Sequence, residues 1–269
     1  FKGRLIVGKG NRNCPNSYGI LKMNIQTGSF DFFSLRSSLI RQVKCSPFGD
    51  DLILSCSDDK ALQLSSAACN ATILTYDSLK LPIWSCAFNP IDRNLIYAGL
   101  SNGSLVGFDL RNTKDSLFEH SAIGTLKCSM ERPLNSISFI DDSLIASSYS
   151  DLFTFPFDQV EKIITNCIPI EDRFICSGLS VEYKNGIVVA NIRNQRLNVM
   201  EYLIYNKNLQ LLTKFSPGIP TGGQSKSSFL TNDSTNLFEF VIAESAGARI
   251  MQLEQDELGC NLRHLQSIK

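Results

Sequence analysis

A repeat constrains this chain more than any other feature it carries. Residues 40–70 read IRQVKCSPFGDDLILSCSDDKALQLSSAACN, residues 83–112 read IWSCAFNPIDRNLIYAGLSNGSLVGFDLRN, and the two align almost without a gap. Self-similarity at a period of about 20–50 residues decides the architecture, because each unit leaves apolar surface that only its neighbours can cover. In each copy a short apolar run ends in Ser46-Pro47 or Asn89-Pro90 and a polar turn follows. A second run, LILSCS or LIYAGL, then ends at Asp58-Asp59 or Asn102-Gly103, where a third begins. Proline closes the first run because it donates no ladder hydrogen bond, and Asp58, Asn102 and Gly103 suit a turn that needs positive φ. These are three antiparallel strands, and a fourth run, ATILTY or DSLFEH, completes the sheet. Four strands recurring about every forty residues make one propeller blade.

The pattern recurs with decay. LNSISFI, LIASSYS, LFTFPF and EKIITNCI fall within 134–168, ICSGLSVEY, GIVVANI, RLNVMEYLIY and LQLLTKF within 175–215, and SSFL, LFEFVIAES, ARIMQLEQ and NLRHLQSI within 227–268. With units at 40–78 and 83–120 these make five full blades, and RLIVGKG, YGILKMNI and SFDFFSL, over about 1–35, make a partial one whose first strand is missing. Loops at about 121–133 and 216–227 are insertions between blades, the second carrying Pro217, Gly218, Pro220, Gly222 and Gly223. A ring of blades needs its two ends to meet, since an open edge exposes unpaired backbone groups. The expected fold is an all-β, seven-bladed propeller, incomplete over this piece of a longer protein, with most of the closing blade beyond Lys269.

Charge and motifs narrow what such a chain does. Lys plus Arg equals Asp plus Glu at 26 each, so no global field draws it onto nucleic acid or an anionic membrane, and a charged partner is met by a local patch. No apolar run approaches the roughly 20 residues that span a bilayer. Nine cysteines contain no Cys-x-x-Cys pair, and Cys45, Cys56, Cys86 and Cys176 lie in apolar runs, which reads as buried reduced thiols. His120 and His264 are the only histidines. No nucleophile elbow, phosphate loop or His-Glu-x-x-His is present, and Gly222-Gly223-Gln224-Ser225-Lys226 lacks the spacing of a phosphate loop. Neither catalysis nor a cofactor is expected in this chain.

Ser57-Asp58-Asp59 followed by an apolar strand resembles the WD-repeat family, in which an Asp in the turn between second and third strands anchors the blade. Asp58 takes that place and Asn102 takes it one blade on. The terminal Trp-Asp pair survives as Phe108-Asp109, with Leu64-Ser65 in the preceding blade. Residues 82–113 contain Pro-x-Trp-Ser-Cys, Ile-Tyr-Ala-Gly-Leu-x-Asn-Gly-Ser and Asp-x-Arg-Asn-Thr. Through these the stretch is similar to the third-blade region of RING-finger and WD-repeat E3 ubiquitin ligases that act on replication protein A at stalled forks and crosslinks. A weaker likeness runs from about Tyr18 to Leu265. The resemblance implies the substrate-recognition half of a nuclear ligase serving DNA repair and the replication-stress response, with the replication protein A complex as partner. It also implies that ubiquitin transfer belongs to a zinc-bearing RING N-terminal to Phe1, which would engage the ubiquitin-conjugating enzyme.

Trp84, the only tryptophan, sits beside Cys86 and Phe88 and is expected in the core, as are Phe108, Phe153, Phe155 and Phe157 between blades. Recognition is expected on the loops between fourth and first strands and between second and third strands, held at fixed spacing by rigid blades. That face gathers Arg36, Arg41, Lys60, Lys80, Arg132, Arg173, Arg196, Lys226 and Arg249, a set suited to an acidic protein surface or to phosphates. An alternative uses Phe108-Asp109-Leu110-Arg111, which is similar to the Trp-Asp-x-Arg motif by which some WD-repeat receptors dock on a cullin-ring adaptor, with Asp109 and Arg111 as contacts. A non-catalytic scaffold is the third reading.

Overall fold

A computed structural model describes residues 4–10, 17–24, 27–36, 38–77, 79–112, 132–140, 143–156, 166–171, 174–182, 186–197, 199–216, 227–230, 238–244, 247–256 and 259–268. Among them no helix occurs, and the regular elements are 22 strands in six antiparallel sheets. The first sheet holds β1 (Arg4–Gly10), β2 (Tyr18–Asn24) and β3 (Phe30–Arg36), and the second β4 (Ile40–Cys45), β5 (Leu52–Ser57), β6 (Leu62–Ser66) and β7 (Ala71–Tyr76). The third holds β8 (Ile83–Phe88), β9 (Leu95–Leu100) and β10 (Leu105–Asp109). The fourth holds β11 (Ser136–Ile140), β12 (Ser143–Ser147), β13 (Asp151–Pro156) and β14 (Asn166–Pro169). The fifth holds β15 (Phe174–Glu182), β16 (Ile187–Asn194), β17 (Met200–Tyr205) and β18 (Leu211–Phe215). The sixth holds β19 (Ser227–Leu230), β20 (Phe238–Glu244), β21 (Gly247–Asp256) and β22 (Gly259–Ile268).

Strands are hydrogen-bonded in chain order throughout, as tight turns between consecutive runs require. The run DSLFEH, expected as the fourth strand of the third sheet, lies outside the described residues, as do 161–165 of the run expected to end the fourth.

The chain divides into two compact units, Phe1–Ile137 with Val160–Lys162, and Ser138–Gln159 with Ile163–Lys269. In the first, Leu54 and Cys56 of β5 pack with Cys86, Ile96, Ala98 and Phe108 of the third sheet, while Ile53 of the same strand packs with Ile20 and Phe33 of the first. The second unit repeats the scheme: Val188, Ala190 and Ile192 of β16 face one neighbouring sheet, and Ile187 and Val189 face the other. Successive residues of a strand point to opposite faces. Middle strands buried on both faces therefore read as unbroken apolar runs. Phe108 is fully buried with Tyr76 at 4.4 Å between ring centres. Burying a side chain of that kind contributes about 1.5–3 kcal/mol.

Among the described residues the first sheet holds three strands. β3 ends at Arg36, close before β4 starts at Ile40, and Arg36 reaches the turn between β5 and β6. An outer, fourth strand ends on that side; a third strand would end at the other. β1 to β3 thus occupy the second to fourth places.

Candidate functional site

The loops that start first strands and the turns between second and third strands meet at one end of each sheet. Asp58 N–H donates to Leu39 O at 3.2 Å, and Ser101 N–H donates to Pro82 O at 3.0 Å. Each turn is thereby hooked to the link that precedes β4 or β8, so residues distant in sequence share one surface. Within the first unit this end carries residues 38–41, 58–61, 79–84 and 101–104.

The turn between β5 and β6 is held by Asp59, one residue beyond the position expected from sequence. Its Oδ1 accepts from Ala61 N at 3.1 Å and from the Ser57 hydroxyl. In the next blade Asn102 Oδ1 accepts from Ser104 N at 3.0 Å. Lys60 (φ 68°) and Gly103 (φ 85°) then occupy equivalent left-handed positions, so Asp59, not Asp58, matches Asn102, and the positive φ falls at Lys60. Arg36 completes this anchor. Its guanidinium donates to Asp59 Oδ1 at 2.6 Å, Ser57 Oγ at 2.7 Å, Ala61 O at 2.8 Å and Ser55 O at 3.1 Å. Arg36 was expected on the partner-binding face; it is buried, and its contacts are internal. Burial pulls its pKa below the usual arginine value while Asp59 opposes that shift.

Asp58, released from the anchoring role, faces the other way. Its two carboxylate oxygens accept from Arg41 Nε at 2.7 Å and Nη2 at 2.8 Å, a side-on bidentate pair. The same guanidinium lies 4.4 Å from the centre of the Trp84 ring. Trp84, expected in the core, is half-buried. It stands second in β8, close enough to the end of the blade for its ring to leave the inter-sheet core and meet Arg41 from β4. The side chains of Arg41 and Asp58 each keep 30% exposure, and Leu39 beside them is 45% exposed. The surface here is a flat aromatic and cationic platform with an aliphatic edge. Lys60 and Lys80 sit exposed in the flanking loops, with no ion pair among the described residues, and Arg132 is half-buried.

Of the remaining predicted cations, Arg196 alone has a described side chain. Arg196 is exposed in the turn between β16 and β17 of the second unit, its N–H donating to Asn194 Oδ1 at 3.0 Å. Arg173 and Lys226 lie outside the described residues, as does the side chain of Arg249 in β21. At the opposite end of the first unit, Arg111 folds back on Asp109, donating from Nε at 2.8 Å, with its own N–H on the same carboxylate at 2.9 Å. These bonds hold the Asp109 carboxyl below the ordinary range. Asp109 and Arg111 thus cap the end of β10. Phe153 is buried as expected, while the side chains of Phe155 and Phe157 lie outside the described residues.

Among the described residues no group of three or more His, Cys, Asp and Glu side chains could hold a metal ion. Cys56, Cys86 and Cys176 are buried free thiols, whereas Cys45, at the end of β4, is exposed. Burial raises the Cys86 thiol and pushes Cys176 up to about 11, away from nucleophilic use.

A family model described as the E3 ubiquitin-protein ligase RFWD3 WD40 domain matches residues 2–213. E3 ubiquitin-protein ligase RFWD3 of Homo sapiens is 35% identical over 91 residues, 34% of this chain and 12% of that protein. Its Mus musculus counterpart is 30% identical over 119 residues, 44% of this chain and 15% of that protein, and that of Ailuropoda melanoleuca 36% over 91 residues. The matched segments span 12–15% of the human and mouse relatives' length. Among solved structures, a chain of the crystal structure of the mitotic checkpoint complex superposes with a TM-score of 0.69 at 11% identity, covering 98% of this chain and 74% of that one. That likeness concerns the fold alone.

Proposed function

This chain belongs to the family of the RFWD3 WD40 domain, and from that premise we propose that it is the substrate-recognition propeller of a nuclear RING-type E3 ubiquitin ligase acting on replication protein A in DNA repair and replication stress. The family match over residues 2–213 carries this reading. The upper surface of the first unit supports it, since a platform of Arg41 and Trp84 flanked by Lys60 and Lys80 suits an acidic protein better than it suits chemistry on a small molecule. Ubiquitin transfer itself falls to a RING outside this chain, which would hold zinc and engage the ubiquitin-conjugating enzyme. The propeller brings the substrate within reach.

The test is direct. Replication protein A titrated onto the immobilised chain should bind saturably and with a salt dependence. Replacing the propeller in the full-length protein by an unrelated WD-repeat domain should abolish ubiquitination of replication protein A while leaving RING-dependent chain formation intact. Absence of binding, together with undiminished ubiquitination by the swapped protein, refutes the proposal. A pull-down with a cullin-ring adaptor separates the alternative reading through Asp109 and Arg111, which requires that adaptor.

A further inference from the structure

The Arg41 fork is already occupied by a carboxylate from its own chain. Asp58 meets it side-on through both oxygens, the arrangement an incoming Asp or Glu side chain would adopt. The pair is open to water, with 30% of each side chain exposed, so exchanging one carboxylate for another needs no rearrangement of the blade. Beneath the guanidinium lies the Trp84 ring at 4.4 Å, and Leu39 extends the apolar surface on the same loop that hydrogen-bonds Asp58. Tryptophan and arginine are the residue types in which binding energy concentrates at protein interfaces. Lys60 and Lys80 add exposed positive charge on either side.

Resting on the reading of this surface as a protein-binding one, we propose that Arg41 and Trp84 form the docking anchor for a segment that presents a carboxylate next to an aromatic or aliphatic side chain, and that Asp58 is an internal stand-in for that carboxylate. The Arg41 fork selects the acid. The ring and Leu39 select its apolar neighbour. In the free protein Asp58 keeps Arg41 over Trp84, so the platform is preformed; on binding, the ligand carboxylate replaces Asp58, which swings into water.

This arrangement makes substitutions of the two paired residues act in opposite directions. Arg41→Gln should weaken binding of replication protein A by about tenfold or more, as loss of an anchoring arginine does. Asp58→Asn should tighten it by about twofold to fivefold, the value of an exposed pair that no longer competes. Trp84, the sole tryptophan, reports on its own contact, and its emission should shift on titration. Equal urea midpoints for both variants and the parent would show that folding is intact. Binding by replication protein A with Arg41→Gln at parental affinity, or with Asp58→Asn no tighter than the parent, overturns this inference and leaves the proposed function standing.

If replication protein A does not bind at all, the proposed function falls, and a synthetic peptide alternating Glu with Phe decides the inference by itself. A Trp84 emission shift with that peptide, and none with a version carrying Lys for Glu, sustains the anchor. No shift with either overturns it.

Discussion

Arg36 and Asp59 form one ion pair, yet removing Asp59 should damage the protein more than removing Arg36. The Arg36 side chain is 1% exposed and that of Asp59 28%. Deleting one member of a buried pair costs about 3–5 kcal/mol, chiefly because the survivor is left charged and poorly solvated. After Arg36→Ala water can reach the surviving carboxylate, which places the loss near the low end, about 3 kcal/mol. After Asp59→Ala the guanidinium stays sealed among Ser55, Ser57 and Ala61, and the turn also loses the acceptor for Ala61 N. That combination gives about 5 kcal/mol. Asp59→Asn keeps the acceptor but not the charge and should fall at about 2–3 kcal/mol. A domain holds only about 5–15 kcal/mol of stability, so Asp59→Ala approaches unfolding under native conditions. Urea titration followed by Trp84 fluorescence measures all three as midpoint shifts at constant slope. An Asp59→Ala loss smaller than that of Arg36→Ala, or both below about 1 kcal/mol as for an exposed pair, would refute the assignment of a buried anchor.

Gly99→Ala should destabilise by about 1–3 kcal/mol, the usual cost of overpacking, because a Cβ there would meet Ser85 Oγ and stand 2.8 Å from Leu134 Cβ. The hydrogen bond from Ser85 Oγ to Leu134 O at 2.7 Å leaves little room to yield; a parental midpoint would show that these strands separate more easily than the packing implies. Site-resolved mass spectrometry after brief treatment with a thiol reagent should find Cys69 labelled, and Cys56, Cys86 and Cys176 protected until denaturant is added. Labelling of Cys176 in the native protein would contradict its burial.

Hydrogen bonds from Arg111 depress the Asp109 pKa, so their contribution is fully present above the unfolded carboxyl value of about 3.9 and is lost as pH falls through the lower folded value. Arg111→Ala should therefore be less stable than the parent at neutral pH and converge with it once the pH has fallen below the folded Asp109 value. A stability gap independent of pH would refute that account.

Strand order was legible because middle strands buried on both faces leave long apolar runs, as in β5, β9 and β16, and because Pro47 and Pro90 punctuate the first turns. What the sequence hid was register within the next turn. Ser57-Asp58-Asp59 offers two carboxylates one residue apart, and pattern alone cannot say which of them reaches back to Ala61 N. Alignment on Asn102 and Gly103 could have done so, since Lys60 stands opposite Gly103 and the acid before it opposite Asn102. Arg36 was misplaced for a related reason. A basic residue just before a first strand reads as a surface cation, and only the turn of the next sheet, about 20 residues later, supplies the acceptors that bury it. Trp84 was misplaced because apolar neighbours argue for the core, whereas a position at the end of a strand lets a long ring turn outward onto Arg41.

One turn links Asp58, Arg36 and Trp84. In a turn with a left-handed residue at Lys60, the side chains of Asp58 and Asp59 diverge, and a single residue of register decides which carboxylate is consumed by the fold. Because Asp59 is taken by Arg36 from the preceding sheet, Asp58 meets Arg41 instead. Arg41, paired with Asp58, then gives Trp84 a partner outside the core. The Arg36–Asp59 anchor and the Arg41–Trp84 platform are thus two consequences of one turn. Asp59 is tied into the fold through Arg36 and Ala61, whereas the Asp58 side chain meets Arg41.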